Sequence, residues 1–102
     1  MQIKPLYHPE ALAEYLAQIR YYESVAQGLG ARFEADQHQA IERICQFPER
    51  FPLITAPNIR RISLQVFPFH VIYRLQADQA QILAVSAQRR QPGYWLGRVF
   101  SH

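Results

Sequence analysis

The segment from residue 89 to residue 95 carries the side chains best suited to chemistry: two arginines, a Pro-Gly turn and two aromatic rings. The planar guanidinium of arginine binds a phosphate or a carboxylate through two hydrogen bonds, and an aromatic face can stack on a base. The alternative is that Tyr94 and Trp95 anchor the chain to a sheet beside solvated arginines. We predict a target-binding surface composed of Arg61, Arg74, Arg89, Arg90 and Tyr94.

Charge is distributed unevenly along the 102 residues. Residues 1–57 carry five basic and seven acidic side chains, a net charge of −2, whereas residues 58–102 carry six arginines and one aspartate, a net charge of +5. Ten of the eleven basic residues are arginine. This asymmetry favours an anionic partner for one face, although arginine also serves simply to solubilise exposed strands.

Metal and nucleophile chemistry are disfavoured by the spacing of the candidate ligands. His8, His38, His70 and His102 follow no metal-ligand spacing, and the single cysteine, Cys45, falls on an apolar helical stripe. No two acidic side chains are placed to converge at the end of an element, which argues against a two-metal or glycosidase mechanism. We therefore predict no metal, no other cofactor and no small-molecule substrate.

The length and hydropathy of the chain predict one domain over residues 1–102. No apolar run approaches the ~20 residues that a membrane span requires. The first residues form no apolar signal-peptide stretch, so we expect a cytoplasmic location and no membrane partner.

Apolar residues at three- and four-residue spacing predict two helices. The first begins at Pro9 and runs for about 17 residues, and the second extends from Phe33 to Phe47. The short connection at Gly28–Gly30 makes them antiparallel. We expect a core between helices and sheet that comprises Leu16, Ile19, Phe33, Ile41, Ile44, Leu64, Val71, Tyr73 and Ile82.

The remaining apolar segments have the period of strands. The predicted strands are residues 1–7 at an edge, 61–66, 69–76 and a central strand at 80–85, with an irregular connection at 51–58 and a last packed segment at 94–100. The order β-α-α-β-β-β predicts an α+β domain, in which an antiparallel helical hairpin covers one face of a small, mainly antiparallel sheet. Arg61 and Arg74 would then point from the other face.

Seven short motifs follow one another along roughly residues 8–98. They are Tyr21-Tyr22, Gly28-Leu29-Gly30-x-x-Phe33, Phe47-Pro48-x-x-Phe51-Pro52, Arg60-Arg61, Phe67-Pro68-Phe69-x-Val71-Ile72-Tyr73-Arg74, Ala84-Val85 and Arg89-Arg90-x-Pro92-Gly93-Tyr94-Trp95. In this order and spacing they resemble the RelE/ParE superfamily of toxins from bacterial type II toxin–antitoxin systems, which includes plasmid stabilisation proteins. The resemblance implies the same fold, a helical hairpin against a small antiparallel sheet.

The resemblance also implies a toxin that stops growth until a cognate antitoxin binds it, with an antitoxin tail lying along the helices and the open sheet edge. We expect that tail to be acidic, because the second half of the chain is basic. A ParE-like toxin binds a macromolecular target such as DNA gyrase, and a RelE-like toxin cleaves messenger RNA on the ribosome. A third alternative is a diverged, non-toxic binding partner.

We favour the ParE-like function because this chain lacks residues that are common in related sequences. Similar sequences often carry a histidine two residues before the arginine pair, where this chain has Ala87, and Lys4 is the only lysine. The long helical hairpin is also more typical of ParE-like toxins.

If the chain were a nuclease, the catalytic residues would be Arg90, Tyr94 and Arg89. The arginines would stabilise the charged phosphorane, and Tyr94 would protonate the leaving oxygen if a nearby arginine lowered its pKa. A base for the 2′-hydroxyl is missing, since an exposed strand histidine such as His70 most often has no catalytic role.

Overall fold

The computed structural model describes residues 3–98, which fold as a helical hairpin on one face of a five-stranded sheet. The elements are β1 (Lys4–Tyr7), α1 (Pro9–Val25), α2 (Leu29–Gln46), β2 (Leu53–Thr55), β3 (Ile59–Ser63), β4 (Phe69–Gln76) and β5 (Gln79–Ala87). The sheet order is β1-β5-β4-β3-β2, with β1 parallel to β5 and every other pair antiparallel. The predicted α+β architecture, its N-terminal edge strand and its central last strand are confirmed.

Two glycines close the helical hairpin. Gly28 adopts a left-handed φ of 85°, and the carboxylate of Glu23 accepts hydrogen bonds from the amides of Gly28 and Gly30, each at 3.0 Å. A Cβ on Gly30 would lie 2.7 Å from the carbonyl oxygen of Ile19 on α1. The helices therefore approach so closely at this point that only glycine fits.

An aromatic cluster joins the hairpin to the sheet. The Phe33 ring is fully buried and lies 5.4 Å from the rings of Tyr22 and Phe69 and 5.3 Å from that of Phe67. The residues predicted for this core lie in it, with one exception. Leu16 is 41% exposed, because α1 turns the face of Ala11, Tyr15 and Tyr22 inward instead.

The chain departs from the predicted strand pattern between residues 51 and 68. The predicted irregular connection contains β2, whose three residues are too few to show alternation. The strand predicted at 61–66 instead starts at Ile59 and ends at Ser63. The Leu64 amide still donates to the Phe69 carbonyl, but the Asp36 carboxylate on α2 then accepts hydrogen bonds at 2.9–3.1 Å from the amides of Gln65, Val66 and Phe67, so the strand cannot continue.

A β-bulge in β5 builds a second, smaller core on the far face of the sheet. Ile72 pairs with Ala84 and Tyr73 with Ile82, so Leu83 is an extra residue. Leu83 and Ala84 both pack against Trp95, which is 4% exposed. Residues 93–98 form turns over this face, and Val99 and Phe100 of the predicted packed segment lie outside the described residues.

Candidate functional site

A shallow pocket of about 80 Å³ lies on the far face of the sheet, beside the segment that carries Trp95. Arg61 of β3 and His70 of β4 form one side, and Ser86 and Arg90 form the other. The register places Arg61 opposite Ile72, and Ile72 packs in the small core of this face. The prediction that Arg61 points away from the helices is therefore confirmed. Two arginines at one pocket suit an anionic group.

His70 is part of this pocket, although its sequence position gave no sign of a role. Its Nδ1 lies 3.0 Å from the Ser63 hydroxyl. Partial burial, with the nearby Arg61 charge as the second cause, lowers the pKa of His70 below its usual 6.5. The imidazole is therefore mostly neutral at pH 7 and has the form that accepts a proton.

Arg90 and Tyr94 are stacked on each other. The Arg90 Cζ lies 3.6 Å from the centroid of the Tyr94 ring, a cation–π contact. The Tyr94 hydroxyl is buried, and within residues 3–98 it has no hydrogen-bond partner. Burial raises the pKa of Tyr94 by more than the nearby Arg90 lowers it. A proton donor at Tyr94 would need a lowered pKa, whereas the pKa of Tyr94 is raised.

An ion pair that sequence reasoning missed holds this segment in place. Arg98 donates to Glu14 of α1 through two nitrogens, at 3.0 and 2.9 Å, and to the Leu83 carbonyl at 2.8 Å. The Arg98 side chain is 10% exposed, and Glu14 raises its pKa. The sequence offered two signals for this ion pair. Arg98 is the single charge among the apolar residues 94–100, and Glu14 lies on the border of the apolar stripe of α1.

The other two predicted arginines lie away from the pocket. Arg74 is on the same face as Arg61, but its guanidinium donates to the Gln81 side chain at 3.0 and 2.7 Å. Arg89 lines a separate groove with Tyr21 and Pro68. Of the five predicted residues, the structure therefore brings together Arg61, Arg90 and Tyr94, and it places Arg74 and Arg89 at two further positions.

The remaining candidates for chemistry have structural surroundings. Cys45 is partly buried against the main core, and burial together with Glu42 raises the pKa of its thiol. A thiol with a raised pKa forms less of the reactive thiolate. Among residues 3–98, no group of three or more histidine, cysteine or acidic side chains is placed to hold a metal ion. No helix in that same range is long and apolar enough to span a bilayer.

The family model for the ParE toxin of type II toxin–antitoxin systems, parDE, matches residues 6–92. The chain belongs to the ParE toxin family. This match includes both helices, the strands β2 to β5, the end of β1 and the pocket residues Arg61, His70 and Arg90. The ParE family consists of toxins of type II toxin–antitoxin modules. The resemblance stated above is therefore confirmed. A cognate antitoxin is the partner that membership implies.

Two solved structures share the ParE-type fold of this chain. One is a chromosomal ParDE toxin–antitoxin system from P. aeruginosa, with a TM-score of 0.69 and 20% identity over 83% of this chain and 95% of that one. The other is a mutant of the E. coli toxin RelE in the free state, with a TM-score of 0.58 and 12% identity over 87% and 86%. No curated protein matches this chain.

Proposed function

We propose that this ParE-family toxin stops growth by binding a macromolecular target such as DNA gyrase, and that its antitoxin prevents this binding. The supporting observation is the burial of the Tyr94 hydroxyl beneath Arg90. The hydroxyl that would protonate a leaving oxygen is thereby withdrawn from the surface, whereas the Tyr94 ring still supports a guanidinium. Such a surface favours binding over proton transfer.

The proposed contact residues offer exposed positive charge. Arg61 is exposed, and within residues 3–98 it has no ion-pair partner; Arg90 is 53% exposed and meets only the edge of a shared carboxylate at 3.8 Å. Arg74 and Arg89 extend the positive surface on either side. Because guanidiniums pair with carboxylates, an acidic segment of a target or an antitoxin suits this surface.

The proposal is tested by inducing the toxin without antitoxin and measuring growth, plasmid supercoiling and messenger RNA integrity separately. Loss of supercoiling with intact RNA supports gyrase as the target. RNA cleavage at normal supercoiling contradicts it. Normal growth, with antitoxin binding retained, would identify the chain as a diverged binding partner.

Arg90→Ala and Tyr94→Phe should differ sharply. We expect Arg90→Ala to weaken target binding about tenfold, because each ~1.4 kcal/mol of lost contact energy is a factor of ten. Tyr94→Phe keeps the ring and removes only a buried hydroxyl, so it should retain toxicity. Growth arrest is measured after circular dichroism has shown that both variants fold. Complete loss of toxicity in a folded Tyr94→Phe would contradict the binding mechanism.

His70 supports a second candidate function, a RelE-like ribosome-dependent endonuclease that cleaves messenger RNA. His70 lines the same pocket as Arg61 and Arg90, and its lowered pKa favours the neutral form that a general base for a 2′-hydroxyl requires. The two arginines would stabilise the charged phosphorane. This arrangement supplies the base that the sequence alone did not.

If the chain cleaves RNA, His70→Ala should lower the rate by about 10²–10⁴-fold, because general bases contribute that much. His38→Ala is the matched control, since the His38 side chain on α2 is 74% exposed and should leave the rate unchanged. The rate should rise with pH up to the lowered pKa of His70 and be flat above it. A loss no larger than severalfold in His70→Ala, measured on translating ribosomes, would exclude His70 as the base.

A further inference from the structure

We propose that Glu14 is a positioning residue for the basic surface: it holds Arg90 over Tyr94, at the edge of the pocket, both directly and through Arg98. The inference rests on the proposed function, because it concerns how Arg90 is presented to the target. It adds a residue from α1, the first helix, to a surface that otherwise comes from the second half of the chain.

The Glu14 carboxylate accepts hydrogen bonds from two residues and forms a longer ion pair with a third. Its Oε1 accepts from the Val85 amide and from Arg98 Nη1, both at 3.0 Å. Its Oε2 accepts from Arg98 Nη2 at 2.9 Å and lies 3.8 Å from Arg90 Nη1. The Glu14 side chain is only 17% exposed. A carboxylate with this many partners is held in one orientation.

Through Arg98, Glu14 also fixes the Tyr94 ring on which Arg90 stacks. Arg98 is bonded to Glu14 and to the Leu83 carbonyl, so it ties the turn of residues 93–98 to the bulged end of β5. Tyr94 lies in that turn, with its ring centroid 5.0 Å from the Arg98 Cζ and 3.6 Å from that of Arg90. The Tyr94 ring therefore contacts both guanidiniums that share the Glu14 carboxylate.

The Arg90 side chain depends on these contacts for its orientation. Within residues 3–98 its side-chain partners are the Tyr94 ring and Glu14. An arginine at a half-exposed position would otherwise sample many rotamers, and ordering it on binding would reduce affinity. Glu14 makes its short hydrogen bonds to Arg98 and a longer 3.8 Å pair with Arg90, which is 53% exposed, so Glu14 orients Arg90 while leaving its guanidinium accessible to an anion.

A double-mutant cycle between Glu14→Gln and Arg90→Ala tests the proposal on purified toxin and target. Glutamine keeps the shape and one acceptor oxygen but removes the charge. We expect Glu14→Gln to weaken target binding about tenfold, as Arg90→Ala does, and to cause no further loss in the Arg90→Ala background. Glu10→Gln is the matched control, because Glu10 is 67% exposed and, within residues 3–98, pairs with Arg98 but not with Arg90.

Two further measurements keep the test decisive. Glu14→Gln leaves Arg98 buried without a counter-charge and can prevent folding. The double variant Glu14→Gln/Arg98→Gln removes both charges, and we expect it to fold and to show the same tenfold loss. Nuclear magnetic resonance then reports on Arg90 without any target, since stacking over Tyr94 shifts the Arg90 side-chain protons by the ring current. This shift should disappear in Glu14→Gln and persist in Glu10→Gln.

Additive losses in the cycle, or an unchanged Arg90 ring-current shift in a folded Glu14 variant, would overturn the proposal. Failure of the proposed function is a separate outcome, because it appears in the wild type as an absence of gyrase binding. If the wild type cleaves RNA instead, the double-mutant cycle is measured on the rate of RNA cleavage. If the wild type neither binds gyrase nor cleaves RNA, the ring-current shift alone decides whether Glu14 positions Arg90.

Discussion

Asp36→Ala should lower the free energy of unfolding by at least about 3 kcal/mol. The Asp36 side chain is 5% exposed, and its two oxygens accept three backbone hydrogen bonds from residues 65–67. Alanine would leave these donors without an acceptor, and the Phe67 amide is buried. Since a small domain has only ~5–15 kcal/mol in total, a large part of its stability would be lost.

Urea denaturation followed by circular dichroism measures this effect. Asp36→Asn retains one acceptor oxygen and should fall between the wild type and Asp36→Ala. The control is Glu34→Ala, an exposed acid on the same helix, whose change should stay within about 0.5 kcal/mol. A loss below about 1 kcal/mol in Asp36→Ala would mean that the loop amides find other partners.

Ile44→Ala should lower the free energy of unfolding by about 2–5 kcal/mol. Ile44 is fully buried in the main core, on the face of α2 that also carries Phe33 and Ile41. Truncation removes buried methyl groups and leaves a cavity that the surrounding aromatic rings fill only in part. Differential scanning calorimetry or chemical denaturation gives the change directly.

Leu16→Ala is the matched control for Ile44→Ala, because it also truncates an apolar helical residue. Leu16 is 41% exposed, so its loss should cost less than about 1 kcal/mol. Equal losses at the two positions would contradict the orientation of the hairpin. A change below about 0.5 kcal/mol at Ile44 would place it outside the core.

The apolar periodicity of the sequence was sufficient to predict the long helices and strands. It failed where contacts between distant residues determine the structure. The helices, β4 and β5 follow their apolar patterns within a few residues. The end of β3 was placed too late, because the hydrogen bonds that end it come from Asp36, about 30 positions earlier. Leu16 was placed in the core because its spacing fits the stripe, but one step of the helix, ~100°, separates it from the inward-facing Tyr15.

Charge and composition identified half of the candidate site. They predicted Arg61 and Arg90 for one basic surface, and the structure brings both to one pocket. They left His70 without a role because its neighbours come from other strands. Glu14 lies on α1, and its bond to Arg98, 84 positions later, could not be foreseen from the sequence. The bulge at Leu83, which makes room for Trp95, depends on strand register and leaves no periodic signal.

The bond between Glu14 and Arg98 also has a consequence for the time at which the toxin becomes active during its synthesis. The two residues are 84 positions apart. At ~5–20 residues per second, a ribosome needs roughly 4–17 s to travel from one codon to the other. Throughout that interval α1 already exists, but its carboxylate has no arginine to bind, and the Tyr94 turn has no anchor. The surface that carries Arg90 is thus completed only after Arg98 has been synthesised, at the end of that interval.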